Sequence, residues 1–197
     1  MITYTTSDMV LGTKKADAYL TIHVFTDFLC SACNKFKSYT PYFAKKYKKD
    51  IRIIFHHYPL DKDCNTGMRR SLHPGACKMH KAFHAATKMG YFKQMATIHL
   101  KNFFKYYGKL RDDYTDFAID EFIAEMKFTP QEKNKFYKIM GSNQTYKAIM
   151  KDIQLSKDLK IRSTPTMFFN NRRVVGVMGR PYMEAIIKTE IEGKGQY

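Results

Sequence analysis

Apolar and polar positions follow two different periods along this chain, and each change of period marks an element. Residues 19–26 are an apolar, β-branched run that predicts a buried strand. From 31 to about 49 the spacing becomes three and four: Ala32, Phe36, Tyr39, Phe43 and Tyr47 trace one helix face. Most of lysines 35, 37, 45, 46, 48 and 49 fall on the other face. Pro41 removes the hydrogen bond to the Lys37 carbonyl and predicts a kink about two turns in. Residues 51–58 predict a second strand, stopped by Pro59. Residues 1–18 are polar, carry Gly12 and Asp17 as turn signals, and leave room for one short edge strand.

Beyond Pro59 the helical period dominates. Pro74-Gly75 opens a helix expected over 76–89 and ended by Gly90, and the stretch 91–160 is helical in pattern throughout. Its stripes are Phe92, Met95, Ala96, His99, Phe103 and Tyr106; then Ile119, Phe122, Ile123 and Met126; then Tyr146, Ile149, Met150 and Ile153. Thr129-Pro130-Gln131-Glu132 is a capping box with proline in the first helical position, and Gly141 supplies a stop. The period returns to two at 166–169 and 174–177, a hairpin about Asn170-Asn171, before a final helix over 181–192. The order β-α-β, helices, β-β-α is that of one domain: an α/β core at 15–62 and 160–192, with 63–159 inserted.

Composition narrows the class. The 197 residues suffice for one substantial core, and 44% hydrophobic content argues against disorder. No apolar run reaches the ~18 residues of a membrane span. Residues 1–6 carry no basic-then-apolar signal pattern, so secretion would require a leader or anchor outside this sequence. The net charge of +16 raises nucleic acid, anionic membrane and acidic protein substrates as partners. The lysines are dispersed, many on outward helix positions, and form no arginine-rich block. A solvated basic surface is the expectation, with no nucleic-acid partner. The twelve methionines are spaced as core filler rather than as soft-metal ligands. His56 and His57 are adjacent on a strand, so they face opposite sides and do not jointly ligate one ion. They read as ordinary core or surface histidines, and His99 as a hydrogen-bonded core residue.

The candidate chemistry lies where the first strand meets the first helix, at Cys30-Ser31-Ala32-Cys33. A helix N-terminus has free backbone N–H groups and the positive end of the macrodipole, and both favour thiolate over thiol. This spacing sets Cys30 at an exposed cap and Cys33 one turn inside. Cys30 can then attack a disulfide, and Cys33 can resolve the mixed disulfide. Cys-x-x-Cys by itself leaves open half of a zinc site or a thiol pair without function. The second pair, Cys64 and Cys77, closes a short loop and lacks redox spacing, so a structural, sequence-local disulfide is expected. Zinc shared with Cys30 and Cys33 is the alternative. Two local pairs suit an oxidising compartment.

Phe25-Thr26-Asp27-Phe28 with the Cys-x-x-Cys resembles the active-site segment of the DsbA-like thiol–disulfide oxidoreductases, within the thioredoxin superfamily. Ser163-Thr164-Pro165-Thr166 through Phe169 is similar to their cis-proline loop. Tyr58-Pro59-Leu60-Asp61, Cys64-Asn65 and His73-Pro74-Gly75-Ala76-Cys77 resemble a subgroup with a second cysteine pair. The resemblance implies a thioredoxin-like fold with a helical insertion, Cys30 as nucleophile, Cys33 as resolving thiol, and a cis Thr164-Pro165 against which substrate pairs. It implies cysteine-containing protein substrates, a membrane or soluble redox partner, no cofactor and no metal, in the periplasm or a secreted setting; a monomer is expected. Two departures lower the expected oxidising strength. Val24 stands where relatives often carry a buried acid, and Ser31-Ala32 replaces the proline and histidine of strongly oxidising members. The alternatives are a reductase or isomerase partner, and a copper- or zinc-binding periplasmic protein on the same fold.

Overall fold

The computed structural model describes residues 8–13, 18–106 and 112–193. Asp17, expected to mark a turn, lies outside them. Strand β1 (Val10–Gly12) is followed by β2 (Leu20–Thr26), helix α1 (Ser31–Tyr47) and β3 (Ile51–His57). Helices α2 (Ala76–Lys88), α3 (Phe92–Tyr106), α4 (Asp112–Glu125), α5 (Pro130–Met140) and α6 (Asn143–Asp158) come next. The chain then returns to β4 (Thr166–Phe169), β5 (Arg172–Val175) and α7 (Arg180–Gly193). The sheet order is β1-β3-β2-β4-β5; β2 and β3 are parallel, and the other neighbours are antiparallel.

Strands β2 and β3 are buried on both faces, which is why their sequences read as continuous apolar runs. The edge strand β1 ends at Gly12, whose φ is +81° and where a Cβ would come within 2.5 Å of the Ile51 carbonyl oxygen. Helix α2 is the hub of the inserted helices and touches α3, α4, α5 and α6. It starts from Gly75 at φ +87°, where a Cβ would meet the Thr115 hydroxyl at 2.2 Å. The expected capping box is present: Thr129 Oγ1 accepts from the Glu132 amide, and Glu132 accepts from the Thr129 amide.

Four sequence expectations need correction. The buried face of α1 is Cys33, Phe36, Lys37, Thr40 and Phe43, one position round from the expected stripe, so Ala32, Tyr39 and Tyr47 are only half-buried. Lys37, expected on the outward side, is therefore buried. Tyr146 lies on the exposed side of α6, while Ile149 and Ile153 face inward. The second hairpin strand is Arg172–Val175, two residues earlier than the apolar residues suggest. Its exposed edge position leaves the period-two pattern weak. The Lys37 carbonyl, left without a helix partner by Pro41, accepts the Thr40 hydroxyl at 2.8 Å.

Candidate active site

Strand β2 ends at Thr26, and a turn closed by the Cys30 amide on the Asp27 carbonyl (3.1 Å) delivers Cys30 to the N-cap of α1. Its carbonyl accepts the Asn34 amide at 2.9 Å, the first bond of the helix. The N-cap has no side-chain cap, and no acidic residue occupies the first turn. The amides there are left facing the sulfur. Cys30 is only 8% exposed, less open than a helix cap suggests, because the Thr164–Pro165 loop covers it. Its Sγ lies 3.7 Å from the Thr164 carbonyl oxygen, and the Thr164–Pro165 peptide is cis.

Cys30 and Cys33 are both free thiols. The Cys33 thiol donates to the Cys30 sulfur, which lowers the Cys30 pKa from 9.0 to about 6 against the opposing effect of burial; the Thr164 side chain and the Cys33 backbone amide add to the lowering. Burial, followed by that same hydrogen bond, pushes Cys33 well above the ordinary thiol range. At neutral pH Cys30 favours the thiolate while Cys33 keeps its proton. One sulfur is poised to attack, and the other is held in reserve.

Asp27, fully buried, organises the approach to the dithiol. Its Oδ1 accepts the Leu29 amide at 2.6 Å, and its Oδ2 accepts the Leu60 amide at 2.6 Å and His73 Nδ1 at 3.1 Å. Burial works to lower the His73 pKa, but the Asp27 carboxylate, aided by the Cys30 and Asp61 charges, raises it overall. His73 is thus held towards its charged form, and the Cys30 charge is among the groups that favour it. It comes from the loop between the second cysteine pair. Cys64 and Cys77 form a disulfide, buried against Ile149 and Ile153. In the same loop Asp61 accepts the Gly75 and Cys77 amides at 3.1 and 3.2 Å and the Ser71 hydroxyl at 2.6 Å. Asn65 donates to the Pro59 carbonyl at 2.9 Å. Asp61, Asn65 and Ser71 of that stretch therefore each have a bonding duty.

A second buried polar system lies behind the site. His23 Nδ1 meets His56 Nε2 at 2.8 Å, and His56 Nδ1 meets Asp152 Oδ1 at 3.2 Å. His57 Nδ1 meets His80 Nδ1 at 2.8 Å, and His80 Nε2 accepts the Phe28 amide at 3.4 Å. His56 and His57 thus face opposite ways as the strand requires, and both are buried core residues. Burial lowers the His23 and His80 pKa values to about 3 and carries His57 and His99 well below the ordinary range. Among the described residues no group of three or more histidine, cysteine or carboxylate side chains is arranged to hold a metal ion.

Sequence reasoning placed Cys30, Cys33, Thr164 and Pro165, which meet here, and flanked them with Ser31 and Ala32 at the mouth of α1. It gave no role to Asp27, His73 or Lys37. The signal for Lys37 was present: residues 33, 36, 37 and 40 share a helical face. Nothing local announces that His73 reaches Asp27 across 46 positions.

Solved structures share this fold. Wolbachia pipientis alpha-DsbA1 superposes with a TM-score of 0.74 at 17% identity, covering 94% of this chain and 91% of that one. A periplasmic thioredoxin-like protein from Salmonella enterica serovar Typhimurium gives 0.70 at 15% identity, over 94% and 92% of the two chains. The catalytic domain of Proteus mirabilis ScsC gives 0.67 at 19%, over 93% and 88%. At these identities the likeness is one of fold: a thioredoxin-like sheet with helices inserted, as in DsbA. No curated protein sequence matches the chain. The family model described as thioredoxin matches residues 4–189, and the chain therefore belongs to the thioredoxin family, the superfamily of thiol–disulfide oxidoreductases to which its cysteine and proline motifs point.

Proposed function

We propose that this protein exchanges disulfides with cysteine-containing protein substrates through Cys30-Ser31-Ala32-Cys33, in the periplasm or a secreted setting. The observation that carries the reading is the asymmetry of the two thiols: an acidic Cys30 at the N-cap under the Thr164 carbonyl, and a buried Cys33 of raised pKa. In this reading the Cys30 thiolate attacks a substrate disulfide and one substrate sulfur leaves as thiolate. Cys33 then displaces Cys30 from the mixed disulfide, and two electrons have passed to the substrate. The reverse sequence oxidises a substrate dithiol. The substrate strand lies along the Thr164-Pro165 loop. Beside it is a cavity of about 580 Å³ walled by Ser31, Ala32 and Asn34 on one side and Leu100, Phe104 and Val177 on the other, room for an apolar side chain next to the reacting cysteine. The chain acts as one unit, a core of 15–62 and 160–192 with the helices of 63–159 inserted.

A Cys30 pKa of about 6 is less extreme than the ~3.5 of the strong oxidant DsbA and below thioredoxin's ~7. The potential is accordingly expected between about −120 and about −270 mV. Reduction of insulin with metals chelated, together with equilibration against a glutathione series, tests both parts. No turnover, with stoichiometric copper or zinc retained on purification, would replace the enzyme with a metal-binding protein. Among the described residues no helix is long and apolar enough to cross a membrane.

A further inference from the structure

Lys37 is 6% exposed in a protein with 34 basic residues, nearly all of which could find water. A buried ammonium is expensive unless paired, and a lysine so placed tends to shed its proton. Its hydrogen-bond partner is not a carboxylate but His99 Nδ1, at 2.5 Å. The His99 ring also bonds the Phe28 backbone, and the Lys37 nitrogen lies 5.8 and 5.7 Å from the centres of the Phe28 and Phe83 rings. Burial lowers the Lys37 pKa from 10.5 to about 7, and the Cys33 charge acts in the opposite direction.

Lys37 follows Cys33 by four residues on α1, so both occupy one face, and long helical side chains lean towards the helix N-terminus. The Lys37 amine therefore rises along the buried side of the turn that holds Cys33. Lys37 also lines a cavity of about 220 Å³ whose walls include the exposed residues Pro41, Lys93 and Thr97, a path from the buried amine towards water. The ionisable groups around it are Cys33 on its own helix and His99 and Lys93 on α3; Cys30 and Asp27 act on the dithiol beyond Cys33, and His80 on α2 acts on His99.

Resting on the disulfide-exchange reading above, we propose that Lys37, held by His99, is the proton-holding residue for Cys33. When the mixed disulfide between Cys30 and substrate forms, the neutral Lys37 amine takes up the proton that Cys33 gives up. The resulting ammonium stabilises the Cys33 thiolate in a site too dry to do so alone. The thiolate attacks Cys30 Sγ, the Cys30–Cys33 bond forms, and the bond from Cys30 to the substrate sulfur breaks. The substrate sulfur leaves with the electron pair, and Lys37 returns its proton through the cavity to water or to the leaving thiolate. The step moves two electrons from the cysteine pair to the substrate and one proton through lysine. Lys37 acts on Cys33 and not on the first attack by Cys30.

The experiment is ring closure from a preformed mixed disulfide of Cys30 with glutathione, followed by rapid quench across pH 5–9. Lys37→Met is expected to slow closure at pH 7 by about tenfold or more and to move the rising limb of the pH profile up by at least one unit. Iodoacetamide alkylation of Cys30 should change by less than about twofold. Lys37→Gln, which can still bond His99 but cannot take a proton, should reproduce the slowing and carries the test if the methionine variant does not fold. Closure at the wild-type rate and pH profile in a folded variant would overturn the proposal. Wild-type protein that reduces no insulin would instead overturn the disulfide-exchange reading, a failure visible before any lysine variant is made.

Discussion

The protein carries two cysteine pairs, each with a member at the N-terminus of a helix, and the two have opposite fates. The difference lies in who uses the helix amides. At α1 nothing competes: there is no side-chain cap and no acid in the first turn, so amides and dipole are left for the Cys30 sulfur. At α2 the Gly75 and Cys77 amides are already engaged by the Asp61 carboxylate. A Cys77 thiolate would meet a carboxylate there instead of free donors. The Cys64–Cys77 disulfide also packs against Ile149 and Ile153, whereas Cys30 sits under a loop that a substrate strand can approach. Helix position alone does not make a cysteine reactive; a second thiol that donates to it, together with an unspent N-terminus, does.

The largest effect should come from breaking the first pair. Cys30→Ala is expected to abolish turnover and trap no substrate. Cys33→Ala should still attack and should accumulate mixed disulfides visible on non-reducing gels. Alkylation at mildly acidic pH that labels Cys33 ahead of Cys30 would reverse the roles of the two thiols.

Acid should weaken the helix that carries the second pair, because α2 meets β3 through His57, His80 and His84, all held below their ordinary pKa chiefly by burial. Their folded-state pKa values are depressed, so the unfolded chain binds more protons below about pH 6.5. Stability is then full above that pH and falls as pH drops, by about 1.4 kcal/mol per unit for each histidine kept neutral. Urea titrations at pH 7.5 and 5.5 should differ by several kcal/mol. A flat profile would mean that the cluster accepts protons without cost. Removal of the second pair itself, Cys64→Ala with Cys77→Ala, should cost about 3 kcal/mol for a loop of this length and leave most insulin reduction intact. Unchanged melting with lost turnover would turn the comparison upside down.

How much of this was legible beforehand follows the range of the forces. Period and caps revealed the strands, the helix starts and the dithiol, because these are local. The Thr164–Pro165 loop was placed by its motif alone, and only the fold brings its carbonyl to 3.7 Å from Cys30. The sequence pattern puts the buried face of α1 one position off, because lysines ordinarily point outward and tyrosines inward. The sheet, with Phe36 and Phe43 against it, settled the rotation. Asp27 appeared in the motif without a duty, since its partners, Leu60 and His73, lie far along the chain.

A smaller effect sharpens the contrast from the α1 side. Ala32 is half-buried at the mouth of the helix and adds no charge. Ala32→His should bring a cation to the Cys30 thiolate, lower its pKa further, and make the protein more oxidising. Support worth about 1.4 kcal/mol corresponds to about 30 mV for the two-electron couple. A potential unmoved in the glutathione series would mean that the positive partner is already saturated.

That partner is His73, and the smallest predicted change concerns it. The imidazole bonds Asp27, whose own charge opposes the Cys30 thiolate. Protonated His73 offsets that charge; its removal leaves the carboxylate uncompensated. His73→Ala should therefore raise the Cys30 pKa, by about half a unit, since a partly exposed pair is worth only about 0.5–1 kcal/mol. The sign with pH is opposite to that of the core histidines. The His73 pKa is raised in the folded state, so its contribution is full below about pH 6.5 and fades as pH rises through the folded value. Thiolate absorbance at 240 nm should separate His73→Ala from the wild type most clearly near pH 6, and above pH 8 the two curves should converge. Because the loop bearing His73 is closed by Cys64–Cys77, the double alanine variant should shift the Cys30 pKa in the same direction and by no more than His73→Ala does. A larger shift would show that the second pair reaches the first by a route other than this histidine.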